Sequence, residues 1–200
     1  MNTAIKMPLR SLNPLLVRDL QAKYPTATVS IEAEVPAEGA AMDEKQFWSI
    51  IALLDWGRKN SADIVAPALE ALSQFSEADI FQFDQILAEK LHALDGEVFA
   101  ESLGWGKNGQ HFSVDGFLYA RCCAVANGKV FYEKVLKNPT LMPKEHSFEP
   151  LLYLAEKAHR LKTGSNDYDF LPTVSYETFS NHAGWKDMPP LSDLLNGKHA

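Results

Sequence analysis

A mainly α fold, an irregular array of about seven short helices with a minor β element, follows from three observations. Between Asp43 and about Lys162 apolar residues recur at spacings of three and four, the period of a helix with one buried stripe. Cap residues and glycine or proline stops divide that stretch into short segments. One earlier stretch, Ala27–Val35, instead alternates apolar and polar residues with the period of a strand.

Asn13 and Pro14 supply an N-cap and a first-turn proline, which predicts a helix through Leu15, Leu16, Val17 and Leu20 to about Lys23, stopped by Pro25. The following strand needs a partner, because a lone strand is not stable in water. Thr173–Phe179, with Val174, Tyr176 and Thr178 on one face, is the expected partner within the chain, and a second subunit is the rival. Residues 1–41 thus read as a helix-strand extension, 42–187 as the helical domain and 188–200, containing Pro189-Pro190, as a loosely held tail.

The helical domain opens on a capping box of Asp43 and Gln46, followed by Phe47, Trp48, Ile50, Ile51, Leu54 and Trp56 and closed by Gly57. A second helix is predicted from Ser61 to Gln74, starting late or kinking at Pro67. Ser76 and Asp79 cap a third, whose Ile80, Phe83, Leu87, Leu91 and Leu94 give the clearest stripe in the chain. A short helix at Val98–Leu103 leads into the glycine-rich Gly104–Gly109, which lacks the Lys-Ser/Thr of a phosphate cradle and reads as a connector around Trp105. Ser113 caps the helix of Phe117, Leu118, Ala120, Arg121, Cys122 and Val125; Asn127-Gly128 turns the chain into Lys129–Lys137, with Val130, Phe131, Val135 and Leu136 facing inward. Asn138-Pro139 stops that segment, and a last helix is predicted from Phe148 to Lys162, ended by Gly164.

Two hundred residues suffice for one core without metal or disulfide support. A net charge of -7 argues against nonspecific binding to nucleic acid or an anionic membrane. No apolar run approaches the length of a membrane span, and charges at Lys6, Arg10 and Arg18 break up the N-terminal stretch, so a cytoplasmic protein is expected. The adjacent Cys122 and Cys123 point about 100° apart on a helix and do not pair; they fit a reducing compartment and a core role.

Glu89-x-x-His92 and Glu156-x-x-His159 each place a carboxylate and an imidazole on one helix face. Paired motifs of this kind, completed nominally by Glu70 and Glu133, would make a carboxylate-histidine centre for iron, manganese or zinc, the basis of an alternative reading as a metal-dependent enzyme. Short helices and the ease of this spacing arising by chance weigh against it, and no cofactor is expected. No hydrolase signature accompanies Ser113, and His111, His146 and His182 fall in loops. The block Ser175–Trp185 is dense in aromatic and hydrogen-bonding side chains, as binding surfaces and structural lids both are. Arg121, Tyr176, Glu177, Asn181 and Trp185 are the candidate binding residues, Arg121 either pairing a carboxylate or orienting an anionic partner.

Several blocks together resemble a family. Phe47-Trp48-x-x-Ile51, Phe83–Leu91, Phe117–Cys122, Val125–Gly128, Phe148–Leu152 and Ser175–Asn181 are similar to those of the bacterial domain-of-unknown-function 4240 family over roughly Met42 to Trp185. The resemblance implies a small, soluble, mainly helical bacterial protein and brings no activity or catalytic residue with it. The residues favour a non-enzymatic protein-binding or regulatory module, for example a toxin-neutralising one, with Glu32, Glu34 and Glu38 adding acidic surface. A structural homodimer joined through the Thr26–Val35 strand is a further alternative. A protein partner or homo-oligomer is expected, and no nucleic acid or membrane.

Overall fold

A computed structural model describes residues 14–25, 41–107 and 112–186. The chain divides into two compact units, residues 1–39 and 40–200. The first contains helix α1 (Pro14–Lys23), which begins at the expected proline. The alternating Ala27–Val35 stretch and the tail beyond 186 lie outside the described residues.

The second unit is mainly helical: α2 (Glu44–Ile51), α3 (Ser61–Ser73), α4 (Glu77–Ala93), α5 (Glu97–Ala100), α6 (Val114–Ala126), α7 (Lys129–Lys137) and α8 (Leu154–Thr163), with short 3-10 turns between several of them. Among the described residues no helix is long and apolar enough to cross a membrane. Helix α4 is central, packing against α2, α6 and α8, while α3 lies along α8 and α7 against α6. Phe47, Phe83, Leu87, Leu91, Phe117, Leu151 and Leu154 are among the side chains this arrangement buries. Two ring contacts, Phe47 to Phe83 at 4.8 Å and Trp48 to Tyr132 at 5.4 Å, join α2 to α4 and α7.

The predicted caps form. Asp43 accepts from the Gln46 amide and the Gln46 side chain answers to the Asp43 amide. Ser76 and Asp79 do the same at α4, and Asp79 also accepts from the Met42 amide at 3.0 Å, tying the α2 entry to the α4 N-terminus. Ser113 accepts from the Gly116 amide, and Gly164 ends α8 at φ 72°.

Five expectations are corrected. Helix α2 stops at Ile51, because Asp55 takes over locally: its carboxylate accepts from the Gly57 amide and Arg58, while its own amide donates to the Ile64 carbonyl. Trp56 still packs on Phe148, at 4.9 Å. Helix α3 does not start late: it begins at Ser61 and continues past Pro67, which is exposed. On α7 the expected Val135 is buried and Phe131 packs against the core, joined there by Tyr132, but Val130 is 69% exposed and Leu136 38%. Finally, Thr173–Phe179 is not a strand, and no strand occurs among the described residues. Its backbone groups are taken by side chains of α4 and α6 instead of a neighbouring strand, and Phe179 adopts a left-handed φ of 75° that no strand tolerates. The final helix also begins later than expected, the Glu149–Tyr153 segment carrying Pro150 being a 3-10 turn.

Candidate functional site

From Ser165 to Lys186 the chain forms a strap of irregular backbone that returns across α4 and α6. It is held by a buried pair of charges. Arg121 on α6 has a side chain 0% exposed, as has Asp95 just beyond the end of α4. Their closest approach is 3.9 Å, longer than a direct hydrogen bond, because each is engaged mainly by the strap. Arg121 Nη1 donates to the Leu91 carbonyl at 3.1 Å and to the Tyr176 carbonyl at 2.9 Å. Its Nη2 donates to the Thr178 hydroxyl at 2.9 Å, which in turn donates to the Val114 carbonyl. The guanidinium stacks over Phe117, 4.7 Å from the ring centre, and its Nε–H has no hydrogen-bond partner. Burial lowers the guanidinium's hold on its proton, and the Asp95 charge works against that shift.

The Asp95 carboxylate accepts from the amides of Phe179 and Asn181 at 3.1 and 2.9 Å and from the Trp185 indole at 3.2 Å. The Phe179 amide is thereby fixed in a conformation that costs an L-residue about 1–2 kcal/mol. Packing of its ring against Trp185 at 4.5 Å and Trp105 at 5.4 Å opposes this strain. Gly184 crosses so close to Asp95 that a Cβ there would lie 2.5 Å from the Asp95 carbonyl oxygen.

Of the candidate binding residues, Arg121, Tyr176, Asn181 and Trp185 meet at this node. Arg121 and Trp185 are buried, so both work inside the molecule. Glu177 is exposed on the outer side of the strap, its carbonyl accepting from the Ser180 amide. Asp95 was not among the sequence candidates. It follows a helix end and carries no spacing signal, and its partners stand some 85 residues further on.

Ser180, His92 and Asp95 also come together: the Ser180 hydroxyl lies 3.4 Å from His92 Nδ1 and 3.4 Å from Asp95. The bond directions are not those of a nucleophile and its base. His92 Nδ1 is 2.8 Å from the Ser175 carbonyl, an acceptor, so that nitrogen carries the proton; the Ser180 hydroxyl donates to the same carbonyl at 2.7 Å. The remaining histidine motifs are separately engaged. Glu89 accepts from Gln85 at 2.8 Å, Glu156 is exposed on α8, and His159 Nε2 stands 3.2 Å from Glu77. Among the described residues no group of three or more His, Cys, Asp or Glu side chains is placed to hold a metal ion.

Beside the node is a face rich in tyrosine and carboxylate. Tyr153, 41% exposed, donates to Glu149 at 2.8 Å, and Tyr119 shares the same carboxylate. Tyr176 stands in electrostatic reach of Tyr153 and of Asp84, and Tyr168 donates to Asp84 at 2.9 Å. Burial pushes the Asp84 carboxyl up to about 6, the Tyr168 hydrogen bond opposing. Phe81 stacks with Phe170 at 5.0 Å and with His159 at 5.6 Å, fixing the strap's first part to α4 and α8. Cys122 and Cys123 are buried and unpaired, and burial pushes the Cys122 thiol up to about 12.

No curated protein and no solved structure matches the chain. One family model does, over residues 42–160, a span that includes Asp84, Asp95 and Arg121 and ends before the strap. The chain therefore belongs to the family described as Protein of unknown function (DUF4240).

Proposed function

We propose that the protein is a non-enzymatic binding module, a bacterial and cytoplasmic one, that presents its tyrosine and carboxylate face to a basic protein partner. The observation that carries this reading is the way the buried node fixes the strap. Arg121 holds the Tyr176 carbonyl at 2.9 Å, so Tyr176 and the exposed Glu177 beside it are presented without the entropy of a loose loop. Tyrosine supplies contact area with a polar handle, and Glu149, Glu156 and Glu177 supply charge complementary to lysine and arginine. A net charge of -7 would draw a basic partner toward the molecule, as in toxin neutralisation. The buried unpaired thiols accord with a reducing compartment.

Native mass spectrometry of the protein isolated from its own host, without chelators or metal-affinity resin, tests this. The expected result is added mass from a basic polypeptide whose affinity falls at least tenfold in the Glu156→Lys, Glu177→Lys double variant. A partner indifferent to both reversals would remove the face from consideration. A stoichiometric metal ion lost in the His92→Ala, His159→Ala double variant would replace the binding module with the enzyme reading.

A further inference from the structure

The strap is recognised by the helical body in the way a receptor recognises a peptide. It has no helix longer than the single 3-10 turn His182–Gly184 and no strand pairing of its own. Its main-chain groups are read in succession by body side chains. Gln85 accepts from the Thr173 amide, His92 donates to the Ser175 carbonyl and Arg121 to the Tyr176 carbonyl. Asp95 accepts from the amides of Phe179 and Asn181, and Glu97 from that of Lys186. All of these body residues fall within the 42–160 span of the family model, and every strap residue falls outside it.

We propose that the body is a peptide-binding domain whose own strap, residues 167–186, is a detachable ligand held in cis. Main-chain contacts supply the grip, and side chains supply selectivity. Thr178 is read twice, accepting from Arg121 and donating to Val114. The Asn181 side-chain Nδ2 donates to the His92 carbonyl at 3.1 Å, the Trp185 indole to Asp95, and Gly184 passes where no side chain fits. The recognised pattern is accordingly Thr-Phe-x-Asn-x-x-Gly-Trp in extended, irregular form.

Three features suit the strap to release. The groove floor carries Arg121 and Asp95, charges that regain hydration when uncovered, beside the aromatic Trp105 and Phe117 that receive Phe179 and Trp185. The bound form contains the left-handed Phe179, a conformation relieved on leaving. The connection from α8 runs through the exposed Gly164, Asn166 and Asp167. The inference concerns the surface beneath the strap, and release of the strap would carry Tyr176 and Glu177 of the outer face away with it.

The test uses the full chain with a protease recognition sequence inserted between Asn166 and Asp167. After cleavage, the expected product keeps its helical circular dichroism, retains the fragment on gel filtration, and exchanges it for a fluorescein-labelled peptide of residues 167–186. Uncut protein, whose groove is filled in cis, should bind that peptide at least tenfold more weakly. Labelled peptides carrying Thr178→Val or Asn181→Ala should also bind at least tenfold more weakly, with no change made to the body. Loss of helicity when the fragment leaves, failure of the fragment to exchange, or equal binding of wild-type and Thr178→Val peptides would each overturn the proposal.

Discussion

Asp84 shows how one side chain's environment becomes a property of the fold. Its carboxyl is buried beside Tyr168 and holds its proton up to about pH 6, against an ordinary value of 3.8. The folded state therefore keeps this proton longer than the unfolded chain does. The resulting stabilisation is complete below pH 3.8 and fades as pH rises to about 6, after which both states are ionised and the slope vanishes. At about 1.4 kcal/mol per unit, the loss across that window is on the order of 3 kcal/mol. Asp84→Asn keeps an acceptor for the Tyr168 hydroxyl and removes the titration. In urea unfolding, its stability relative to wild type should improve by about 2 kcal/mol between pH 4.5 and pH 7. A relative stability that stays flat over this interval would mean the carboxyl is not held in its neutral form. Arg121 and Asp95 have different surroundings: strap atoms, backbone and side chain alike, hydrogen-bond them where water would otherwise stand.

At the level of elements, local chemistry was the most readable part of the sequence. Asp43, Ser76, Ser113 and Gly164 set helix ends that depend on one residue and its neighbours three or four positions away, and all four act as expected. Helix α7 was read half correctly: Val135 and Phe131 meet the core while Val130 and Leu136 do not, because its nine residues carry apolar side chains on more than one face. The choice of face is made by tertiary contacts, with Tyr132 reaching the Lys90 carbonyl at 3.2 Å and Trp48 lying against its ring. The two faces should respond differently to mutation. Val135→Ala, at a fully buried position, should cost about 1–2 kcal/mol, whereas Val130→Ser, on the exposed side, should stay within about 0.5 kcal/mol. Equal losses in chemical denaturation would put Val130 back in the core. The strap was misread as a strand for a related reason: Val174, Tyr176 and Thr178 do alternate, but the partner for their backbone is a set of side chains scattered over α4 and α6.

For the whole molecule, the candidate site was legible as a residue list and not as an assembly. Arg121 and the Tyr176–Trp185 block stood out by composition, yet their joining through Asp95 depends on contacts spanning most of the domain, which no local period records. Net charge, by contrast, is a property of the entire chain and can be read without a fold. At -7, the molecule should attract a basic partner over distances comparable to the Debye length, about 10 Å at 0.1 M salt. Such steering acts on encounter, so its signature lies in the association rate. Between 20 and 300 mM sodium chloride that rate should fall roughly tenfold in surface-based kinetics, with the dissociation rate changing much less. The Glu156→Lys, Glu177→Lys variant should flatten the dependence, because it removes the charges nearest the contact while leaving the buried node and the strap's geometry intact. If the association rate does not respond to salt, the tyrosines carry recognition by packing alone and the acidic character of the chain is incidental to it.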